Sequence, residues 1–216
     1  MSIKIHILSG SKKLVPFKTE IGLLTKSIEN SVKKLISIGD IDVVFYYNPG
    51  MVSKKNGIGG SSPCANVIFV PLNPGNPGFL LGLKKDFPYV LAHEINHAIR
   101  FRTPIPKQTL FEAMISEGLA DHFAIEVTKR KRPQLWSKAL TNKQKKFFFE
   151  KASKEWDNET LHHYSWFYGS KTKKIPRWTA YTLGYDLVDS YLRKYPELSA
   201  SKLISTSAST FRSVIE

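Results

Sequence analysis

The segment His93-Glu94-Ile95-Asn96-His97 constrains this chain more than any other, because it places two histidines four residues apart. Helical spacing of apolar residues, with Asp86 as a cap and Pro88 in the first turn, predicts a helix from Asp86 to about Phe101 around it. Residues four apart share one helix face, so both imidazoles can reach one ion at about 2.0–2.1 Å. The motif therefore predicts a zinc site, with Glu94 beside the ion as general base.

Chance is a poor explanation of this motif, because a chain of 216 residues with 6 histidines is expected to contain only about 0.01 such matches. The uncharged run Val90-Leu91-Ala92 before it suits a buried helix that exposes only its catalytic face. The alternative is that His93 and His97 pack inside a helix interior while Glu94 lies at the surface.

A catalytic zinc site needs a third protein ligand and one open position for water. Glu117 is the best candidate, on a second helix predicted from about Gln108 to Thr128. Because Pro104 and Pro106 interrupt the chain between the two helices, the second helix can pack back across the first. We therefore expect His93, His97 and Glu117 to hold the ion.

The neighbours of Glu117 support this choice. Leu110 and Met114 share its helix face, so Glu117 is expected to be half-buried and to need a partner. Asp121, one turn later, can accept the second ring N–H of a ligating histidine and fix its tautomer. Gly118 in mid-helix costs about 1 kcal/mol relative to alanine, which predicts a close backbone approach to the helix of the histidines.

Two other residues remain possible third ligands. His122 follows on the same helix, but its face is rotated from that of Glu117, and Cys64 offers a thiolate upstream. The metzincin pattern, which requires a glycine and a third histidine shortly after the motif, is excluded because Arg100 and Thr103 occupy those positions.

Periodicity along the rest of the chain predicts an α+β architecture, with strands early, helices late and one domain over residues 1–216. Pro71 indicates that the strand Asn66–Leu72 lies at a sheet edge, because proline cannot donate to a ladder. The stretch from Lys54 to Pro63 is predicted as a mobile loop. The remaining predicted strands are Ile3–Ile7 and Ile41–Tyr47, and the remaining helices are Glu20–Ile36, Asn142–Trp156, Thr179–Arg193 and Ser199–Val214.

The segments HEINH, SEGLAD and IPRWTAYTLGYDLV, between Ile41 and Leu192, together resemble a family of predicted Zn-dependent proteases of gluzincin type. The resemblance implies a zincin-like fold, in which an edge strand of a small N-terminal mixed sheet lies over the HExxH helix. It also implies bound zinc and peptide-bond hydrolysis. Such a zinc ion lowers the pKa of its bound water from 15.7 toward about 7.

Two further features of a peptidase site can be sought in the sequence. Tyr181 and Tyr185, four apart on the predicted helix Thr179–Arg193, are candidate oxyanion donors, although tyrosines at this spacing are also typical of a core. Arg177 and His163 are weaker candidates for that role. The edge strand Asn66–Leu72 is expected to hold an extended peptide or protein substrate by strand addition.

A net charge of +14 raises a different function, contact with nucleic acid. The cations are scattered in pairs and short runs, which favours a solvated surface. The alternative readings are a basic nucleic-acid-associated protein with a structural zinc site, or a zinc-binding hydrolase that acts on other bonds. The chain has one cysteine, no apolar stretch near the roughly 20 residues of a membrane span and no signal-peptide pattern at the start. These features predict a cytoplasmic protein, with non-classical export as the open alternative. Oligomeric state is not encoded in any of these patterns.

Overall fold

The predicted α+β architecture is confirmed, with a small mixed sheet in the N-terminal part and a mostly helical second half. The computed structural model describes residues 2–104, 109–159 and 163–215. These residues divide into two units, Met1–Arg102 with Glu126–Lys129 and Thr103–Ile125 with Arg130–Glu216. The single domain over residues 1–216 stays a prediction.

The sheet of the first unit has four strands, β1 (Ile3–Ile7), β2 (Ile41–Tyr47), β3 (Ser61–Cys64) and β4 (Val67–Leu72). Their spatial order is β1-β2-β4-β3, with β1 and β4 parallel to β2 and with β3 antiparallel to β4. In β2 the alternate residues Ile41, Val43 and Phe45 are buried, which is the period-2 pattern of a half-buried strand.

The prediction that Asn66–Leu72 is an edge strand is wrong, because β4 pairs with β2 on one side and with β3 on the other. Pro71 is tolerated there for a local reason. Its carbonyl accepts the Gly59 N–H on the β3 side, at 3.0 Å, and the nitrogen of a strand residue faces the same side as its carbonyl. The missing N–H therefore falls before β3 begins at Ser61. The edge strand on this side of the sheet is β3, whose first three residues fall in the predicted mobile loop Lys54 to Pro63.

Three helices accompany this sheet, α1 (Lys18–Lys33), α2 (Phe79–Lys85) and α3 (Phe87–Arg100). Helix α1 packs against β1 and α3, and α3 also contacts β3 and β4. Pro88 lies in the first turn of α3 as predicted. The Asp86 side chain does not cap the helix, and it accepts a hydrogen bond from Asn56 Nδ2 at 3.0 Å.

The second half contains α4 (Leu110–Thr128), α5 (Asn142–Ser153), α6 (Tyr164–Tyr168) and α7 (Thr179–Lys194). Helix α4 has buried apolar residues all round its axis, as expected for a helix in the middle of a core. Helix α5 begins with a capping box between Thr141 and Gln144. The predicted start of α4 near Gln108, and Pro106, lie outside the described residues.

The predicted final helix Ser199–Val214 is wrong as a continuous helix. The chain instead forms two short 3₁₀ helices, Ala200–Leu203 and Ala208–Val214. The Ser207 hydroxyl accepts the Ser209 N–H at 3.3 Å, so a side chain takes a backbone donor that a longer helix would use. No helix in the described ranges combines the length and apolar character needed to cross a membrane.

Helices α4 and α7 meet through two glycines. A Cβ on Gly118 would lie 2.2 Å from the Gly184 carbonyl oxygen, and one on Gly184 would lie 2.0 Å from the Met114 carbonyl oxygen. Gly118 thus allows a close backbone approach as predicted, but its neighbour is α7 and not the helix of the histidines. The contact sets the position of α4, the helix that carries Glu117.

We predict that Gly118→Ala and Gly184→Ala each lower the free energy of unfolding by about 2 kcal/mol or more, because a methyl group would overlap rigid backbone atoms. Gly22→Ala in α1 is the matched control, since a Cβ there meets nothing within 4 Å. That substitution should raise stability by up to about 1 kcal/mol through helix propensity. Urea unfolding followed by circular dichroism measures all three, and wild-type stability of both core variants would contradict the role of the contact.

Candidate metal centre

Helix α3 directs both histidines of the motif toward one point. The Nε2 atoms of His93 and His97 are 3.1 Å apart, and the two rings meet at an interplanar angle of 75°. Two nitrogens that bind one tetrahedral zinc ion at about 2.0–2.1 Å lie about 3.3 Å from each other. The separation of the two ring nitrogens therefore fits a shared cation.

The helix around this pair is buried. Leu91, Ala92 and Ile95 have no exposed surface, while His93 is buried and His97 is half-buried. Glu94 is only 8% exposed. The alternative arrangement with Glu94 at the protein surface is therefore wrong, and this carboxylate lies in an environment that favours a function or a partner.

Backbone of the loop before β3 lies directly against Glu94. A Cβ on Gly60 would lie 2.7 Å from Glu94 Oε1 and 2.7 Å from Val90 Cγ1. Only a residue without a side chain leaves both groups where they are. The role of Gly60 could not be predicted from the sequence, because the cluster of Gly57, Gly59 and Gly60 is equally typical of a flexible loop.

Glu117 completes a group of residues that could hold a metal ion. The donor atoms of His93, His97 and Glu117 all lie within 4.8 Å of one another. Within the described part of the chain, no other three or more His, Cys, Asp and Glu side chains form such a group. Glu117 is half-buried as predicted. Two imidazoles and one carboxylate are a donor set typical of catalytic zinc sites, so these residues fit Zn²⁺.

The two alternative ligands do not belong to this group. His122 is buried on α4, and its Nε2–H donates to the carbonyl oxygen of Tyr185 at 3.1 Å. Burial lowers the pKa of His122, while the Tyr185 carbonyl and the charges of Asp189, Asp121 and Asp186 oppose that shift. Cys64 is an exposed free thiol on β3.

Asp121 lies fully within the fold, one turn after Glu117. Its carboxylate accepts the indole N–H of Trp136, with N–O distances of 3.1 and 3.0 Å, and the hydroxyl hydrogen of Ser137. These donors hold the carboxylate in one orientation. Its role in orienting a ligating histidine stays a prediction. Nothing in the sequence indicated that Trp136 and Ser137 bind Asp121, because they are 15 and 16 residues away from it along the chain.

Both candidate oxyanion donors on α7 make aromatic contacts. Tyr181 meets Phe167 edge to face at 5.0 Å, and Tyr185 stacks on His122 with ring centroids 4.2 Å apart. Burial raises the pKa of Tyr185 to about 12, with smaller contributions from three nearby aspartates. The Tyr185 phenol therefore keeps its proton at neutral pH. Whether either phenol stabilises an oxyanion stays a prediction.

The weaker candidates lie elsewhere in the second half of the chain. The Arg177 guanidinium lies 4.6 Å from the centroid of the Trp178 ring, and His163 is the residue that precedes α6. Neither belongs to the group of three metal-binding residues.

Comparison with known proteins agrees with the site. The model of a protein family described as "Predicted Zn-dependent protease (DUF2268)" matches residues 21–213. No curated protein matches the sequence.

We predict that Gly60→Ala lowers kcat by about 10- to 100-fold without loss of bound zinc, because the added methyl group displaces the Glu94 carboxylate and leaves the ligands in place. Gly10→Ala is the control, since a Cβ at Gly10 meets nothing within 4 Å. Peptidase kinetics and metal content are measured on the same samples. Full activity of Gly60→Ala would show that this contact does not position Glu94.

We also predict that His122 makes the protein less stable in acid. Its pKa in the folded state lies below the ordinary histidine value of 6.5, so only the unfolded chain takes up a proton near pH 6. The stability is present above pH 6.5 and falls as the pH drops, by up to about 1.4 kcal/mol at one unit below the unfolded pKa. Urea unfolding in chelator at pH 7.5 and 5.5 should show a smaller acid loss for His122→Gln than for the wild type. An equal loss in both proteins would contradict the assignment.

Proposed function

The chain belongs to the family of predicted Zn-dependent proteases, and we propose that it hydrolyses peptide bonds at the group of His93, His97 and Glu117. The observation that carries the proposal is the proximity of these three donors, within 4.8 Å of one another, next to a buried Glu94. A structural zinc site has four protein ligands, whereas three leave the open position that catalysis needs. The donor count thus favours a catalytic site over a structural one.

His93, His97 and Glu117 would hold Zn²⁺. When bound there, zinc lowers the pKa of water and polarises a carbonyl group. Glu94 takes the proton from the attacking water and then delivers it to the leaving amine. Because its carboxylate lies against the backbone of Gly60, Glu94 needs little reorganisation to accept that proton.

The substrate, we propose, pairs with β3 and not with β4. Ser61, Pro63 and Cys64 are exposed, and β3 is the edge strand on the β4 side of the sheet. An extended peptide added to this edge would be held by main-chain hydrogen bonds, which place few demands on its sequence. Pro63 is also a residue typical of an edge strand, because it cannot donate to a ladder. The loop before β3 brings this edge next to Glu94 through Gly60.

Two supporting roles complete the proposed mechanism. Tyr181 or Tyr185 donates a hydrogen bond to the developing oxyanion, and such a donor is typically worth about 3–4 kcal/mol. The high pKa of Tyr185 supports this, because the phenol keeps its hydrogen at all moderate pH values. Asp121 accepts a ring N–H of a ligating histidine and fixes its tautomer. We place the reaction in the cytoplasm, on the basis of the single cysteine.

Substitutions at the site separate catalysis from metal binding. Glu94→Gln should keep zinc and lose about 10²- to 10⁴-fold in kcat, because it removes only the general base. His97→Ala and Glu117→Ala should bind zinc at least about tenfold more weakly. Removing even a group that only hydrogen-bonds to a metal ligand lowers metal affinity about 10- to 100-fold, and these substitutions remove a ligand itself. Zinc content by mass spectrometry and digestion of a peptide library, with and without chelator, give both readouts.

Glu150→Gln is the matched control, because Glu150 is exposed on α5 and lies outside the site. It should keep both zinc and activity. Full zinc affinity of Glu117→Ala would remove Glu117 from the ligand set. Zinc-loaded wild type that cleaves no peptide would refute the proposed reaction while leaving the metal site intact.

A further inference from the structure

A second surface of the molecule combines exposed aromatic rings with cations. We call it the aromatic–basic hairpin, and it consists of α6 (Tyr164–Tyr168) and the turn from Gly169 to Arg177 that follows. Its functional side chains are those of Tyr164, Tyr168, Lys171, Lys174 and Arg177. None of them belongs to the candidate metal centre.

The backbone of the hairpin is held firmly. Ser170 and Ile175 exchange two hydrogen bonds, of 2.8 and 2.9 Å, and the buried Ile175 side chain anchors the turn. Gly169 adopts a φ of 86°, and a Cβ there would lie 2.9 Å from the backbone nitrogen of Arg177. This close approach brings the two ends of the turn together, so that Tyr168 and Arg177 line one cavity.

Two residues near the turn adopt costly backbone conformations. Lys174 has a φ of 51° and Trp178 a φ of 69°, both in the left-handed region that favours glycine. Each such residue costs about 1 kcal/mol or more, and such residues are common at binding sites. Arg177, between them, lies over the Trp178 ring at 4.6 Å.

The two tyrosines form an exposed aromatic platform. The Tyr164 and Tyr168 rings stack with centroids 5.9 Å apart and an interplanar angle of 28°. Tyr164 is 67% exposed and Tyr168 is 58% exposed. Flat ring faces held in solvent are suited to stacking with other planar groups.

The cavity beside this platform is lined by cations. It has a volume of about 450 Å³, and its walls include Tyr168, Lys171, Lys174 and Arg177. All three cations are exposed, and the residues that line the cavity in the described structure include no Asp or Glu. Two more cations are nearby: Lys173 belongs to the same turn, and Lys151 donates to the Lys173 carbonyl oxygen at 2.8 Å. The cavity therefore attracts anions.

We propose that the aromatic–basic hairpin binds single-stranded nucleic acid. Cations that follow a phosphate backbone and aromatic rings that stack with bases are the two elements of such sites, and stacking tolerates any base because every base has a π face. An anionic lipid surface would meet the same cations, but it offers no planar group for the two tyrosine rings to stack with. The proposal assigns a function to some of the lysines and arginines that give the chain its net charge of +14.

The first test uses the wild-type protein. Fluorescence anisotropy with a labelled oligothymidylate of about 15 nucleotides should show binding at low salt, and the affinity should fall steeply as salt rises because bound phosphates release counterions. Duplex DNA should bind more weakly. Phosphatidylserine vesicles are the comparison for a lipid surface. Absence of oligonucleotide binding at low salt, or binding to vesicles alone, would overturn the proposal.

Variants then locate the site. The triple variant Lys171→Glu, Lys174→Glu, Arg177→Glu should bind at least about tenfold more weakly. It should also reduce the steepness of log affinity against log salt by about 2, because each of the three lost phosphate contacts contributes about 0.7. Its matched control is Lys54→Glu, Lys55→Glu, Lys84→Glu, which makes the same charge change at exposed positions elsewhere. An equal loss in both triple variants would show that only total charge matters.

The aromatic contribution has its own readout. Tyr164→Ala and Tyr168→Ala should each weaken binding about 5- to 100-fold while leaving the salt slope unchanged, because stacking involves no counterion. Photocrosslinking of the wild type to a bromouracil oligonucleotide does not depend on any variant folding. Crosslinks within residues 164–178 support the proposal, and crosslinks only elsewhere overturn it.

Discussion

Two imidazole nitrogens 3.1 Å apart on a buried helix are the constraint on which the rest of the site depends. Helix geometry alone brings the side chains of residues four apart close together. Two basic ring nitrogens that face each other are an arrangement that a shared cation stabilises. The apolar residues Leu91, Ala92 and Ile95 of α3 are buried around this pair, so the nitrogens lie in a largely apolar environment. Glu94 is then held in the same buried environment, one residue further along the helix.

The position of Glu117, the proposed carboxylate ligand, depends on a different interaction. Glu117 lies one residue before Gly118, where the backbone of α4 meets that of α7 at Gly184. Backbone contact of this kind leaves little freedom for α4 to slide or rotate, because no flexible side chain lies between the helices. Asp121 is fixed on the same helix by Trp136 and Ser137. Contacts within the core thus restrain the part of α4 that carries Glu117 and Asp121.

Features that depend on local periodicity could be predicted from the sequence, and features that depend on the choice of neighbour could not. The α3 and α7 helices and strands β1 and β2 follow from residue spacing, as does the helix face of Glu117. Gly118 correctly indicated close backbone contact, but a missing side chain does not specify which helix approaches. Pro71 led to the wrong prediction of an edge strand, because a proline removes only one backbone donor, on one side of its strand. Strand β3, Ser-Ser-Pro-Cys, lacks the β-branched and aromatic residues that identify strands.

The shortness of β3 limits how a polypeptide can engage the proposed active site. Four residues at about 3.3 Å each offer a docking edge of about 13 Å, so only a brief stretch of extended main chain can be gripped. Native domains seldom present such a stretch outside their termini and exposed loops. Susceptibility to cleavage would accordingly be governed by the local unfolding of the target more than by its sequence.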